Sequence, residues 1–178
     1  MDIGASRYQR FLKGEQSAIE EVVEQYNRNL ILFINRFVNN LTVAEDLAAD
    51  AFLELIIKKP KFRQDASFKT YLFAIGRNKS LDYLKWQARF TDQPIEELGL
   101  SDQPVVEAEL IRDERRLTIH RAIDSIHPDY RDILHLLYFE DMSYSEAAAV
   151  LKKSVKQVNN LAYRAKNALR AILKEEGI

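Results

Sequence analysis

Cysteine is absent from the 178 residues. That excludes disulfides and thiolate-held metal, and it fits a reducing compartment such as the cytoplasm. Glycine (5) and proline (4) are scarce, so little of the chain is suited to tight turns, and the long periodic segments between them predict an all-α protein. No apolar run approaches the roughly 20 residues of a membrane-spanning helix. The opening MDIGASRYQR lacks an apolar signal core, and no membrane contact is expected. A Gly-rich phosphate loop is missing too. The three histidines, His120, His127 and His135, are spaced seven and eight apart rather than at the i, i+4 spacing of a helical metal site. No cofactor, metal or catalytic residue is therefore expected, and the chain does not read as an enzyme.

Excess charge is missing as well: the net value is −1, so any grip on a polyanion must come from local patches. The distribution is uneven. Residues 1–89 hold 14 basic and 11 acidic side chains, residues 90–118 hold 3 and 8, and residues 119–178 hold 9 and 8. The acidic stretch from Phe90 to Val106, with Pro94, Gly99 and Pro104 and no sustained period, reads as a flexible linker. The expected organisation is two small helical domains, 1–89 and 107–178, joined by residues 90–106. With 47% apolar residues there is material for both cores.

Ser17-Ala-Ile-Glu20 and Thr42-Val-Ala-Glu45 have capping-box spacing. The first predicts a helix of five or six turns ending at Asn39-Asn40, the second a helix stopping before Pro60. Lys61 to Asp65 is a basic loop, and Ser67 is placed to cap a long helix from Phe68 to about Arg89. Residues 61–89 carry seven basic residues against Asp65 and Asp82, interleaved with Phe62, Phe68, Tyr71, Phe73, Tyr83 and Trp86, and Phe90 follows. Cations for phosphates and flat rings for unstacked bases are the chemistry of single-strand binding. Most such rings belong to a core, but seven cannot all lie on one buried face.

Beyond the linker, Leu110 to Ile126 predicts a helix, Asp129 is placed to cap another to Tyr138, and Glu140-Asp141-Met142 turns the chain. Ser145 to Leu151 is a short helix with small apolar residues. Lys152, Lys153 and Ser154 make a turn with Ser154 as N-cap, although many such turns carry glycine. The last helix has an apolar stripe at Val158, Leu161, Ala162, Ala165, Leu169 and Ile172. Its other face shows Lys156, Gln157, Asn159, Asn160, Tyr163, Arg164, Lys166 and Asn167. Between Lys152 and Lys174 there are seven basic residues and no acid. A supporting helix, a turn and a basic, amide-rich helix match what major-groove reading needs, because amides pair with adenine edges and cations serve guanine and phosphate.

Four stretches in this order carry a family resemblance: AEDLAADAFLELI (44–56), SFKTYLFAIGRNKSLDYLKWQAR (67–89), HPDYRDILHLLYFEDMSYSEAAAVL (127–151) and SVKQVNNLAYRAKNAL (154–169). The chain resembles the extracytoplasmic-function (ECF) sigma factors of the bacterial sigma-70 family. The resemblance implies an N-terminal domain that binds the clamp helices of core RNA polymerase and opens promoter DNA at the −10 element. It implies a C-terminal domain that reads the −35 element and holds the polymerase flap, and an anti-sigma partner. Asp46, Leu47, Asp50 and Phe52 match the polymerase-docking helix. Phe68, Lys69, Tyr71, Arg77, Asn78, Lys79 and Lys85 fall in the −10 region, with Asn78 placed to hold a flipped base and Tyr71 where the family usually has tryptophan. Lys156, Gln157, Asn159, Asn160, Tyr163 and Arg164 match the −35-reading helix. The expected protein is a monomer until it meets polymerase and promoter DNA. The competing reading is a stand-alone helix-turn-helix regulator.

Overall fold

The computed structural model describes residues 2–62, 66–91 and 114–175, and every regular element among them is helical. Chain contacts divide it into two compact units, Met1–Ser101 and Asp102–Ile178. The expected linker from Asp92 onward, residues 107–113 and the loop residues 63–65 lie outside the described residues.

The first unit contains α1 (Ile3–Leu12), α2 (Ser17–Val38), α3 (Leu41–Lys58) and α4 (Phe68–Thr91). α1 precedes the first helix expected from the sequence. Asp2 caps it by accepting the Gly4 and Ala5 amides, and its other carboxylate oxygen accepts the Phe68 amide, tying the starts of α1 and α4 together. α2 is the hub, packing against the other three helices. Its Leu30, Phe33 and Ile34 are fully buried with Phe68, Leu72 and Phe73 of α4; the Phe33 and Phe73 rings lie 5.0 Å apart. Each such side chain contributes about 1.5–3 kcal/mol by leaving water. α2 and α4 approach closely at Gly76, where a β-carbon would come within 2.8 Å of Leu30 Cδ1. The Tyr8 hydroxyl donates to the Pro60 carbonyl at 3.1 Å, and burial pushes its pKa up to about 12.

Two expected caps in this unit are displaced. α2 begins at Ser17 with Gln16 before it, and Ser17 makes no cap. The Glu15 and Gln16 carbonyls accept the first helical amides instead, so the turn is already wound when Ser17 arrives. Asn40, not Thr42, caps α3 by accepting the Val43 amide at 3.2 Å. Its neighbour Asn39 ends α2 in the left-handed region at φ 47°, so two adjacent asparagines close one helix and open the next. Ser67 does cap α4, accepting the Thr70 amide at 3.2 Å.

In the second unit, α5 (Glu114–Ser125) leads to α6 (Pro128–Leu134), which runs into a π-helical turn over His135–Phe139. His127 rather than Asp129 is the cap: its Nδ1 accepts the Asp129 amide, and Pro128 fills the first helical position where no amide is needed. His135 and Glu140 are buried together, with Nε2 and Oε1 3.2 Å apart. α7 (Tyr144–Leu151) and α8 (Val155–Glu175) complete the unit.

Candidate nucleic-acid interface

Ser143 opens α7 with a reciprocal capping box to Glu146. Ala147, Ala148, Val150 and Leu151 are buried, so the short helix is held by small side chains at close range. The turn that lacks glycine solves its geometry with Lys152, which takes φ 52°. Ser154 and Gln157 form a second capping box: the Ser154 hydroxyl accepts the Gln157 amide at 3.2 Å, and the Gln157 side-chain carbonyl accepts the Ser154 amide at 2.8 Å. Val158, Ala162 and Ala165 of α8 are buried and Leu161, Leu169 and Ile172 half-buried, so the expected stripe faces the core. Lys156, Gln157, Asn159, Asn160, Tyr163 and Arg164 are all exposed along one side of a helix held by two capped turns. Gln157 has its carbonyl engaged in the cap, which leaves its amide NH₂ for an outside acceptor.

Lys166 on the same helix turns elsewhere. Its Nζ lies 5.6 Å from the centre of the Tyr138 ring, and hydrogen bonding to Tyr138 raises its pKa. Beside it, Ile119, Ile123, Leu134, Phe139 and Leu169 line an apolar groove of about 430 Å³, with Lys166 and Arg170 also at its wall.

On α4 the expected DNA-contacting residues do not form one patch. Tyr71, Asn78 and Lys85 recur every seven residues and share the face away from the core. Asn78 is half-buried and Lys85 exposed, while burial raises the pKa of Tyr71 and its ring packs 5.6 Å from Phe62. Arg77 and Lys79 flank that face and are half-buried. Lys79 Nζ is 3.0 Å from Glu54 of α3, whose carboxyl the Lys79 and Lys58 hydrogen bonds hold below its ordinary pKa. Lys69 sits 5.6 Å from the Phe73 ring. Phe68 must be corrected. It is fully buried against Tyr8, Tyr26 and Phe62, and no base can reach it. Of the seven rings noted in the sequence, Phe62, Phe68 and Phe73 are buried, Tyr71 and Tyr83 half-buried, and Trp86 and Phe90 exposed.

α3 turns an acidic edge outward. Asp46 and Asp50 are exposed and Leu47 half-buried. Phe52 is the second correction: at 4% exposure it belongs with Ala48, Ala51 and Leu55 in the core. The exposed apolar residues on this helix are Leu53 (48%) and Ile57 (75%). They continue the Asp46–Asp50 line at the next three- and four-residue steps, a spacing visible in the sequence itself.

These features define a class: an all-helical DNA-binding protein with a helix-turn-helix in one unit and a basic, ring-bearing helix in the other. The comparisons narrow it. The family model described as Sigma-70 region 2 matches residues 22–90, and that for Sigma-70, region 4 matches residues 116–169. The RNA polymerase sigma-H factor of Pseudomonas aeruginosa is 29% identical over 171 residues, covering 90% of this chain and 89% of that one. The ECF RNA polymerase sigma factor SigW of Bacillus subtilis is 26% identical, covering 95% and 96%. Among solved structures, CnrH in complex with the cytosolic domain of CnrY is 26% identical with a TM-score of 0.68, covering 98% of this chain and 99% of that one. The sigma factor RpoE of Bartonella quintana, at 20% identity and a TM-score of 0.71, shares the fold over 87% and 96%. The chain belongs to the sigma-70 family and is an ECF sigma factor, a DNA-binding RNA polymerase subunit of transcription initiation.

Proposed function

We propose a division of labour between its two units, with residues 1–89 as region 2, 90–106 as linker and 107–178 as region 4. The side chains of Lys156, Gln157, Asn159, Asn160, Tyr163 and Arg164 read the −35 element in the major groove. The observation that carries this is their common exposure on a helix whose buried side is fixed by capped turns. Tyr71, Arg77, Asn78, Lys79 and Lys85, with Lys69 at the start of the helix, serve the −10 element, and Asn78 offers an amide for a flipped base. Asp46 and Asp50, with Leu53 and Ile57 beyond them, make an edge suited to a basic, partly apolar helical surface, which the clamp helices of the core enzyme supply. The groove beside Lys166 and Arg170 suits an apolar element of the flap.

The protein works by binding, not by catalysis of its own, and strand opening follows from preferring unstacked bases to duplex. We place it in the cytoplasm with the polymerase, as a monomer that an anti-sigma factor can hold; CnrH, its structural relative, is itself seen with a second protein bound. The test is reconstitution with bacterial core polymerase and a genomic promoter library. Wild-type protein is expected to direct start sites that core alone does not use. Asp50→Arg, placing a cation against a basic partner, is expected to lower assembly at least tenfold in a pull-down with core, while leaving the unfolding midpoint unchanged because the side chain is exposed. Undiminished assembly removes the α3 edge from the interface.

A further inference from the structure

The apolar groove of the second unit is polarised by charge. Ile123 of α5 and Leu134 of α6, both buried, contribute to its base. Leu169 and Leu173 of α8 form one wall, half-buried and one helical turn apart. The π-helical turn forms another, and such turns concentrate at functional sites. Its consecutive rings Tyr138 and Phe139 both line the groove while staying 56% and 38% exposed. The volume of about 430 Å³ falls within the range of small-molecule sites, roughly 300–1,000 Å³, which are mostly apolar with a few placed polar groups. Here the placed groups are cations. Lys166 and Arg170 lie one turn apart on α8, and both reach the groove. Lys166 is drawn to the phenols of Tyr138 and Tyr144, with its Nζ 5.6 Å from the Tyr138 ring centre. Neutral phenols leave its charge uncancelled, and an ammonium has three donors, so two phenols do not exhaust it. α8 itself supplies no counter-charge along the groove, since the sequence from Lys152 to Lys174 holds no acid.

We propose that this groove binds a fatty carboxylate, with the alkyl chain against Leu169, Leu173 and the Tyr138 and Phe139 rings and the head group between Lys166 and Arg170. Burial of the chain supplies affinity, about fourfold per methylene. The carboxylate takes charge-assisted hydrogen bonds from the two cations, which are stronger than those between neutral groups, and so fixes the orientation. A wholly apolar occupant would cover the same walls but strip water from two cations with nothing to neutralise them. A docked protein helix anchors through several side chains spread over two turns or more, and the buried centre of such an interface is depleted of charge. One chain ending in one anion matches a single apolar trough whose two cations share a helix. The site rests on the second unit alone. Its consequence rests on the flap reading above: a lipid and a flap element exclude each other from the groove, so ligand-bound protein holds core polymerase through its first unit only.

Calorimetric titration of the full-length protein with octanoate, decanoate and dodecanoate, each below its micelle concentration, tests the site. Affinity is expected to rise about fourfold per methylene until the groove is full, with one molecule bound per chain. Dodecanol and dodecyltrimethylammonium carry the same chain without the anion, and are expected to bind at least about tenfold more weakly. In a variant carrying both Lys166→Gln and Arg170→Gln, dodecanoate and dodecanol are expected to come within about threefold of each other. Equal affinity of the wild type for acid and alcohol overturns the proposal without need of a variant. So does an undiminished preference for the acid in the folded double variant, or the uptake of many molecules per chain, which is detergent behaviour. A sedimentation mass of two chains that dodecanoate leaves unchanged would mean that a second copy fills the groove, and overturns it as well. One further titration separates the site from its consequence. Protein already assembled with core polymerase is expected to take up no dodecanoate beyond that bound by core alone. If it binds as the free protein does, the carboxylate site stands and the flap reading of the groove falls.

Discussion

Phe68 carries two incompatible expectations in one ring. Its position at the start of a basic helix suggests base stacking, and its apolarity suggests core. Full burial among Tyr8, Tyr26 and Phe62 decides for the core. Phe68→Ala is expected to cost about 3–5 kcal/mol in urea unfolding, a loss that a surface ring would not show. Glu54 is a subtler case. Its carboxylate holds Lys79 at 3.0 Å and Lys58 at 3.1 Å, and its pKa is lowered by them. A carboxyl whose folded pKa is depressed stabilises the fold above its unfolded pKa of about 4.3, and that stability is lost as pH falls through the folded value. Glu54→Gln is therefore expected to reduce stability at pH 7 by about 0.5–1 kcal/mol and by less near pH 3, where the carboxyl takes up its proton. Unfolding midpoints of the two proteins, compared at both pH values, check the sign.

At the level of elements, the sequence made the helices legible and the caps less so. α8 was readable because one side is apolar at three- and four-residue steps while the other is basic and amide-rich, and burial follows that division residue by residue. α1 is less so: Asp2 caps it locally through the Gly4 and Ala5 amides, but the Phe68 amide that fixes it to the unit lies 66 residues away. Thr42 and Asp129 lost their capping roles to Asn40 and His127 for a shared reason: several residues in each stretch could cap, and the path of the chain out of the preceding helix chooses among them. Phe52 and Leu53 are adjacent apolar residues, and only the packing of α3 on α2 and α4 decides which one faces out. In the proposed −35 reading, the Ser154–Gln157 box joins stability to recognition in one side chain. Ser154→Ala is expected to cost about 1 kcal/mol and to fray the first turn of α8. Gln157→Glu keeps an acceptor for the Ser154 amide beside the helix N-terminus, so stability should hold or rise. It loses the outward NH₂ donor, so −35 recognition should fall. Thermal melts and reconstituted transcription on the two variants separate holding the helix from reading with it.

For the molecule as a whole, the decisive quantity is the net charge of −1. A protein that binds DNA alone gains from a broad positive field; this one has local cations in two units and eight acids against three bases across residues 90–118. Its free affinity for duplex must come from one small surface at a time. The reading surface and its turn offer Lys152, Lys153, Lys156 and Arg164. If all four met phosphates, affinity would fall about 100-fold between 50 and 200 mM salt, and at physiological salt it would sit in the non-specific range of about 10⁻⁴–10⁻⁶ M. Free full-length protein is thus expected to bind a promoter duplex no tighter than micromolar, and to bind tightly only when core polymerase presents both units to one DNA and turns the second contact into an intramolecular one. Anisotropy titrations across that salt range, with and without core, test this. Nanomolar, polymerase-independent binding would mean that the helix-turn-helix unit recognises its site unaided, and would favour a stand-alone regulator's mode of action over one that needs the enzyme to couple two weak surfaces.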